Sequence, residues 1–192
     1  MRLVFSFLFA LFVALPGAAR AEMLEGDALW QALRDGGHVV LFRHAIAPGG
    51  GDPASFQLGD CSTQRNLDEA GRRQARAIGD AFRQREVPVA RVLASRWCRS
   101  TETAELAFGT AEPFPAIDSF FQDRARGPGQ TEAARVRIQT FEGPGNMMMV
   151  THQVNITALT DIFPASGEGV VLRPLPDNPK GFAVVGRLRA WD

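Results

Sequence analysis

Val39-Val40-Leu41-Phe42-Arg43-His44-Ala45 is the stretch from which the rest of this chain can be read. Its first four residues are β-branched or bulky and apolar, with no polar residue alternating among them, which is the pattern of a strand covered on both faces. Such strands lie in the middle of parallel sheets flanked by helices. The run then breaks into an arginine, a histidine and a small residue. In open α/β sheets ligands bind in the crevice beyond the carboxyl ends of the strands, so Arg43 and His44 stand where a guanidinium can hold an anion and an imidazole can act on it. A structural Arg-His pair at a strand end would read the same way, and only partners elsewhere in the chain separate the two.

Two further stretches supply them. Val89 to Ser95 is a second strand candidate, followed by Arg96-Trp97-Cys98-Arg99-Ser100 and a helical run from Thr101 to Phe108 that Gly109 ends. If Ser95 caps that helix, Arg99 falls in its first turn, among unsatisfied N–H groups that favour an anion. Asn146-Met147-Met148-Met149-Val150-Thr151-His152 is a third buried strand ending in histidine, with a helix expected from Val154 to Phe163. Strands thus deliver Arg43, His44, Arg99 and His152 to one edge, a compact cationic set matched to a phosphoryl dianion.

Between these stretches the chain alternates strands and helices. A helix is expected over Leu24 to Leu33, ended by Gly36-Gly37. Ala47-Pro48-Gly49-Gly50-Gly51-Asp52-Pro53 has no periodicity and reads as a loop over the site; its glycines either bring backbone N–H groups to an anion or simply make a flexible surface loop. A helix follows to about Glu86, capped by Asn66 or Asp68, with Arg72, Arg73, Arg76 and Arg83 on a solvated face and Arg65 aimed at the crevice. Pro113 to Asp118 is an edge strand or extended connection, Ser119 to Arg124 a loop, and Gln130 to Phe141 a helix. The tail offers strands at Val170 to Leu175 and Phe182 to Leu188 joined by Pro176-Asp177-Asn178-Pro179. The expected fold is a three-layer α/β/α sandwich with a largely parallel central sheet.

Residues 1–21 read as a secretory signal peptide: Arg2, an apolar run from Leu3 to Leu15, the breakers Pro16-Gly17, and the small-x-small site Ala19-Arg20-Ala21. Residues 22–192 then form a single domain, periplasmic or secreted, with no stable membrane insertion once the leader is cleaved; an uncleaved anchor is the alternative. The formal net charge is 0, and loss of Arg2 and Arg20 takes it to −2, so no broad basic field for nucleic acid is present. Cys61 and Cys98 are the two cysteines of a chain sent to an oxidising compartment, where one disulfide is the simple expectation and two free thiols the alternative.

Rival chemistries fail on the letters. A cysteine phosphatase needs arginine six positions after its cysteine, where Leu67 and Ala104 stand instead; there is no G-x-x-x-x-G-K, no G-x-S-x-G and no H-E-x-x-H. His38 and His44 flank one strand about 20 Å apart at ~3.3 Å per residue, too far to share a metal ion, and His38 reads as structural.

Leu41-Phe42-Arg43-His44-Ala45, Leu67-x-x-x-Gly71-x-x-Gln74-Ala75, Ser95-x-x-x-Arg99-Ser100-x-x-Thr103-Ala104 and Val150-Thr151-His152, in that order, resemble the histidine phosphatase superfamily with its phosphoglycerate-mutase-like fold. The resemblance implies that His44 attacks phosphorus and becomes a phosphohistidine, that Arg43, Arg99 and His152 hold the phosphoryl oxygens, and that water releases phosphate from a small phosphomonoester with neither metal nor organic cofactor. It also implies a general acid in a D-x-x-L-x-E-like loop, for which Asp123 is the first candidate and Asp118 the second. Ala45 replaces the family's usual glycine. Gln153 stands where the mutase-like branch has glycine and the acid-phosphatase branch aspartate. The loop at Gly49 to Gly51 lacks the asparagine often found there, so an oxygen contact is either missing or supplied by Gln153 or Arg65. Export puts glycolytic phosphoglycerates out of reach and argues against a mutase; the nearest model is exported bacterial phosphatases acting on lipopolysaccharide heptose phosphates. The alternative from another class is a noncatalytic phospho-ligand binder that kept the cationic pocket.

Overall fold

The computed structural model describes residues 23–191, so the expected leader at residues 1–21 lies outside the described residues. Five helices and six strands follow in the order α1 (Gly26–Asp35), β1 (Val39–Arg43), α2 (Glu69–Gln84), β2 (Val89–Ala94), α3 (Cys98–Phe108), β3 (Glu112–Pro113), α4 (Gly127–Gln139), β4 (Asn146–Thr151), α5 (Gln153–Thr160), β5 (Gly169–Pro174) and β6 (Phe182–Leu188). They form one six-stranded sheet, ordered β3-β2-β4-β1-β5-β6. Among the described residues no helix is long and apolar enough to cross a membrane.

Strand alternation makes the three layers. Val40 and Phe42 of β1, with Met148 and Val150 of β4, face Leu29, Leu33, Ile78 and Phe82 of α1 and α2. Val39 and Leu41, with Met147 and Met149, face Ile138 of α4 and Ile156 of α5. Both strands are apolar at consecutive positions because a helical layer covers each face. β2 differs: its first three residues are exposed and only Val92, Leu93 and Ala94 are buried.

β1 pairs with β4, β4 with β2, and β2 with β3, all parallel. The tail departs from that pattern. β5 runs antiparallel to β1, and β6 antiparallel to β5. A short connection explains the second of these reversals: the amide of Leu175 donates to Gly181 O at 2.9 Å, so Pro176–Pro179 form a tight turn between β5 and β6, whereas a parallel return needs a crossover of a dozen or more residues. The sheet is therefore mixed, with a parallel centre and an antiparallel hairpin at one edge.

Other boundaries moved for local reasons. α1 starts at Gly26 because the amide of Leu24 is taken by Val185 O at 2.7 Å. Asp68, not Asn66, caps α2, accepting from the amide of Gly71 at 2.7 Å. α4 opens at Gly127, three residues earlier than the apolar pattern suggests, with Pro128 in its first turn, and Pro115–Ile117 is a 3-10 turn where extended chain was expected.

α2 and α3 lie close enough to touch through backbone. A Cβ on Gly79 would sit 2.0 Å from the carbonyl oxygen of Ala107, an atom of α3 that cannot swing aside. Gly79→Ala is expected to destabilise the fold by about 1 to 3 kcal/mol through overpacking. Denaturant unfolding at neutral pH checks this, and a variant as stable as the wild type would show that the helices separate freely.

Candidate active site

The sheet order places the carboxyl ends of β2, β4 and β1 side by side. Arg43 registers with Thr151 across the β1–β4 pair, so the residues that follow, His44 and His152, emerge next to each other. The amide of His44 donates to Thr151 O and that of Ser95 to Val150 O, each at 2.9 Å, which extends the pairing one residue beyond the strands. The two imidazole centroids lie 5.4 Å apart. Arg99 is the second residue of α3, as its spacing implied, although the helix begins after Trp97 and Ser95 does not cap it.

These side chains line a cavity of about 200 Å3 together with Arg65, Trp97 and the backbone of Gly49 to Gly51. His44 is buried and its Nδ1 lies 2.8 Å from Ala45 O. A carbonyl only accepts, so Nδ1 carries the proton and Nε2 the lone pair. Arg99 Nε donates to that Nε2 at 3.3 Å, in keeping with this tautomer. Burial, followed by the charge of Arg99, lowers the His44 pKa to about 3, and the same two causes hold His152 well below the ordinary histidine value. Both imidazoles are neutral at physiological pH. A neutral imidazole with its lone pair among fixed guanidinium groups is chemically equipped to attack an electrophilic phosphorus.

The cations are unevenly satisfied. Arg43 Nη1 donates to Pro164 O at 3.0 Å and Arg65 Nη1 to Gly49 O at 3.2 Å, but the buried Nε of each has no partner. Burial, then the charge of Arg99, lowers the pKa of both. An anion entering the cavity would meet the guanidinium charge of both residues. Gln153 also lines the cavity, its Nε2 donating to Thr157 Oγ1 at 2.8 Å.

The carboxylates fall out differently from their sequence spacing. Asp118 is fully buried and belongs to a structural pair: Arg96 donates to it from its backbone amide at 2.9 Å, from Nε at 2.8 Å and from Nη2 at 2.5 Å. Asp118 Oδ1 lies 3.4 Å from Ser95 Oγ, which in turn lies 2.7 Å from His152 Nε2, so Ser95 and Asp118 orient the second histidine from behind. Asp123 is exposed and does not line the cavity; Ser119, Phe121 and Gln122 of the same loop do. Asp52, which had no periodic context to single it out, is the carboxylate on the lining and pairs with Arg99. Among the described residues no group of three or more His, Cys, Asp or Glu side chains is arranged to hold a metal ion, and His38 Nδ1 is occupied by Gly36 O at 2.8 Å.

Residues distant in sequence hold the loops in place. Gln74 of α2 accepts from the amide of Ile46 at 3.0 Å and donates to Ser166 O at 2.9 Å, and Thr103 Oγ1 accepts from the amide of Ala45 at 3.0 Å. Cys61 and Cys98 form a disulfide, with Cα atoms 5.7 Å apart, that fastens the loop after β1 to the first turn of α3. Closing that loop contributes about 2 to 4 kcal/mol in the chain-entropy view.

A family model, the histidine phosphatase superfamily (branch 1), matches residues 39–134, half of the chain. The chain belongs to the histidine phosphatase superfamily. As a member it is a phosphatase, and its fold has solved counterparts. The protein histidine phosphatase SixA complexed with tungstate is similar at 18% identity and a TM-score of 0.57, over 80% of this chain and 97% of that one. Alpha-ribazole phosphatase from Shigella flexneri is similar at 16% identity and a TM-score of 0.55, over 79% and 96%. The product of open reading frame Rv3214 from Mycobacterium tuberculosis is similar at 14% identity and a TM-score of 0.56, over 78% and 96%. At these identities the likeness is one of fold. No curated protein matches the chain.

The depressed histidines fix a pH dependence of stability. Above the unfolded value of about 6.5 both folded and unfolded chains carry neutral His44 and His152, so stability is flat. Below it the unfolded chain takes up protons that the folded one refuses, and each of the two removes up to about 1.4 kcal/mol per pH unit. His38, also lowered, acts in the same direction. Denaturant melts between about pH 7.5 and 4 should show stability falling with pH, with a shallower slope for His152→Gln; a stability that rises on acidification would contradict neutral buried imidazoles.

Proposed function

We propose that the protein is an exported phosphomonoesterase that works through a phosphohistidine on His44. One observation carries the reading: the His44 Nδ1 proton is committed to Ala45 O, which leaves the Nε2 lone pair, held only by a long 3.3 Å hydrogen bond from Arg99 Nε, as the nucleophile in a cavity lined by Arg43, Arg65 and Arg99. In the first half-reaction the Nε2–P bond forms as the bond from phosphorus to the leaving oxygen breaks. Arg43, Arg65, Arg99 and His152 take up the charge on the phosphoryl oxygens. Gln153, on the same lining, adds a neutral contact. Water then attacks phosphorus, the N–P bond breaks, and inorganic phosphate leaves with His44 neutral again.

The leaving oxygen receives little help from the protein as folded here. Asp118 is locked by Arg96, Asp52 by Arg99, and Asp123 lies outside the lining, so Asp123 could act as the acid only after the loop over residues 119–123 turned inward. The reading therefore favours leaving groups that depart with little protonation, and turnover should fall steeply as the leaving group becomes more basic. Support for export comes from the residue pattern of 1–21 and from the Cys61–Cys98 disulfide, a bond at home in oxidising compartments. That compartment would put phosphorylated sugars of the cell envelope within its reach.

Purified protein incubated with p-nitrophenyl phosphate without added metal should release nitrophenol, and His44→Ala should reduce release to background. Phosphate or vanadate binding by a wild type that never turns over would replace the enzyme with a phospho-ligand binder. Across a series of aryl and alkyl phosphates, Asp123→Asn should leave the leaving-group dependence unchanged; a loss confined to alkyl esters would return Asp123 to the role of acid. Chain recovered from the periplasm or medium should begin near Glu22 and carry no free thiol by mass spectrometry; cytoplasmic retention of an uncleaved chain would refute export.

A further inference from the structure

Three guanidinium groups line the cavity, both histidines beside them are neutral, and one carboxylate shares the lining, which leaves a net charge of +2 facing the entrance. That carboxylate is Asp52. Its Oδ1 accepts from Arg99 Nη1 at 2.7 Å and from the amide of Arg65 at 3.1 Å; its Oδ2 accepts from Arg99 Nη2 at 3.1 Å and from Trp97 Nε1 at 3.0 Å. Side-chain exposure is 3% for Arg99 and 6% for Asp52, so solvent hardly screens the pair. Arg99 also donates Nε–H to His44 Nε2 and a second Nη1–H to Arg65 O at 3.2 Å. The arginine next to the nucleophile thus reaches an incoming phosphoryl group with its terminal nitrogens already committed to a carboxylate.

We propose that Asp52 is a positioning residue that keeps Arg99 aligned on His44 and, by offsetting one of the three arginine charges, limits how tightly the pocket retains phosphate. The inference rests on the phosphatase reading and goes beyond it to what sets ligand affinity and product release. Asp52 is built to stay. Two of its four donors come from Arg65 and Trp97 rather than from Arg99, so a phosphoryl group that competes for Arg99 does not set the carboxylate free. The loop that carries it is clamped twice, by the Cys61–Cys98 disulfide and by Phe56 stacked on Trp97 at 5.0 Å between ring centroids. Four donors also keep the carboxylate ionised, since together they overcome the burial that would otherwise favour its protonated form. A net charge of +2 is what one phosphoryl dianion neutralises. With the carboxylate removed, a third uncompensated guanidinium would draw product phosphate in more strongly and hold it longer.

The test is inorganic phosphate binding by calorimetry on the full folded protein, with steady-state kinetics on an aryl phosphate alongside. Asp52→Asn keeps the shape and removes the charge. It should bind phosphate about tenfold tighter or more, with KM and kcat falling together as release becomes limiting. Asp52→Glu, which keeps the charge, should hold phosphate affinity near that of wild type. Asp52→Ser carries the same expectation as Asp52→Asn should the latter fail to fold. A merely structural role predicts the opposite sign, with weaker phosphate binding and a raised KM in both neutral variants; that result, or unchanged affinity, overturns the proposal. A wild type that binds phosphate yet hydrolyses nothing would defeat the phosphatase reading alone, because the affinity comparison needs no turnover.

Discussion

The parallel pairing of β1 with β4, in the register that sets Arg43 opposite Thr151, is the constraint on which the site depends. A strand has a side-chain period of two, so a slip of one residue would exchange the two faces of Val39 to Phe42, set each side chain against packing shaped for its neighbour and draw His38 or Arg43 into an apolar layer. Two buried faces therefore fix the register. The register in turn fixes the neighbourhood of His44 and His152, because both are the first residues beyond their strands. Placement of the imidazoles is a by-product of burying Met147 to Val150 against the flanking helices.

Burial then gives these groups their chemistry. An exposed histidine near its ordinary pKa would be partly protonated and a poor nucleophile; desolvation beside Arg99 keeps His44 neutral, and the carbonyl of Ala45 selects which nitrogen holds the lone pair. The same desolvation makes the arginines costly to leave unpaired. Arg99 is satisfied by Asp52, whereas the Nε groups of Arg43 and Arg65 have no protein partner. The cavity thus holds a reserve of positive charge that an anion relieves.

Loops complete what the sheet begins. The segment after β1 returns over the cavity, held at its root by Gln74 and Thr103 and further along by the disulfide to α3. One covalent tie beside Arg99 brings Asp52 to the arginine, and the packing of Phe56 on Trp97 closes the same wall. Behind the second histidine, Ser95 and Asp118 form a fully buried support.

The sequence by itself determined the layers, the central strands and the placing of Arg43, His44, Arg99 and His152 at one edge, because apolar periodicity and strand-helix alternation are local properties written residue by residue. Arg65 at the cavity and the Cys61–Cys98 pair were also within its reach, one through its position before a helix and the other through residue count. Tertiary structure alone decided the rest. The antiparallel docking of β5 on β1 depended on where the tail could find an open sheet edge. Ser95 passed from an expected helix cap to a partner of His152, and Asp118 from a candidate acid to the partner of Arg96, because strand ends meet in space without any spacing to announce it. Asp52 lies in a glycine- and proline-rich run with no periodicity, and its signal, a lone carboxylate shortly after His44, acquires meaning only when the loop folds back on Arg99. Contacts between side chains far apart in the chain have no local signature: the energy that selects them, pairing of buried charge, exists only after the fold has excluded water.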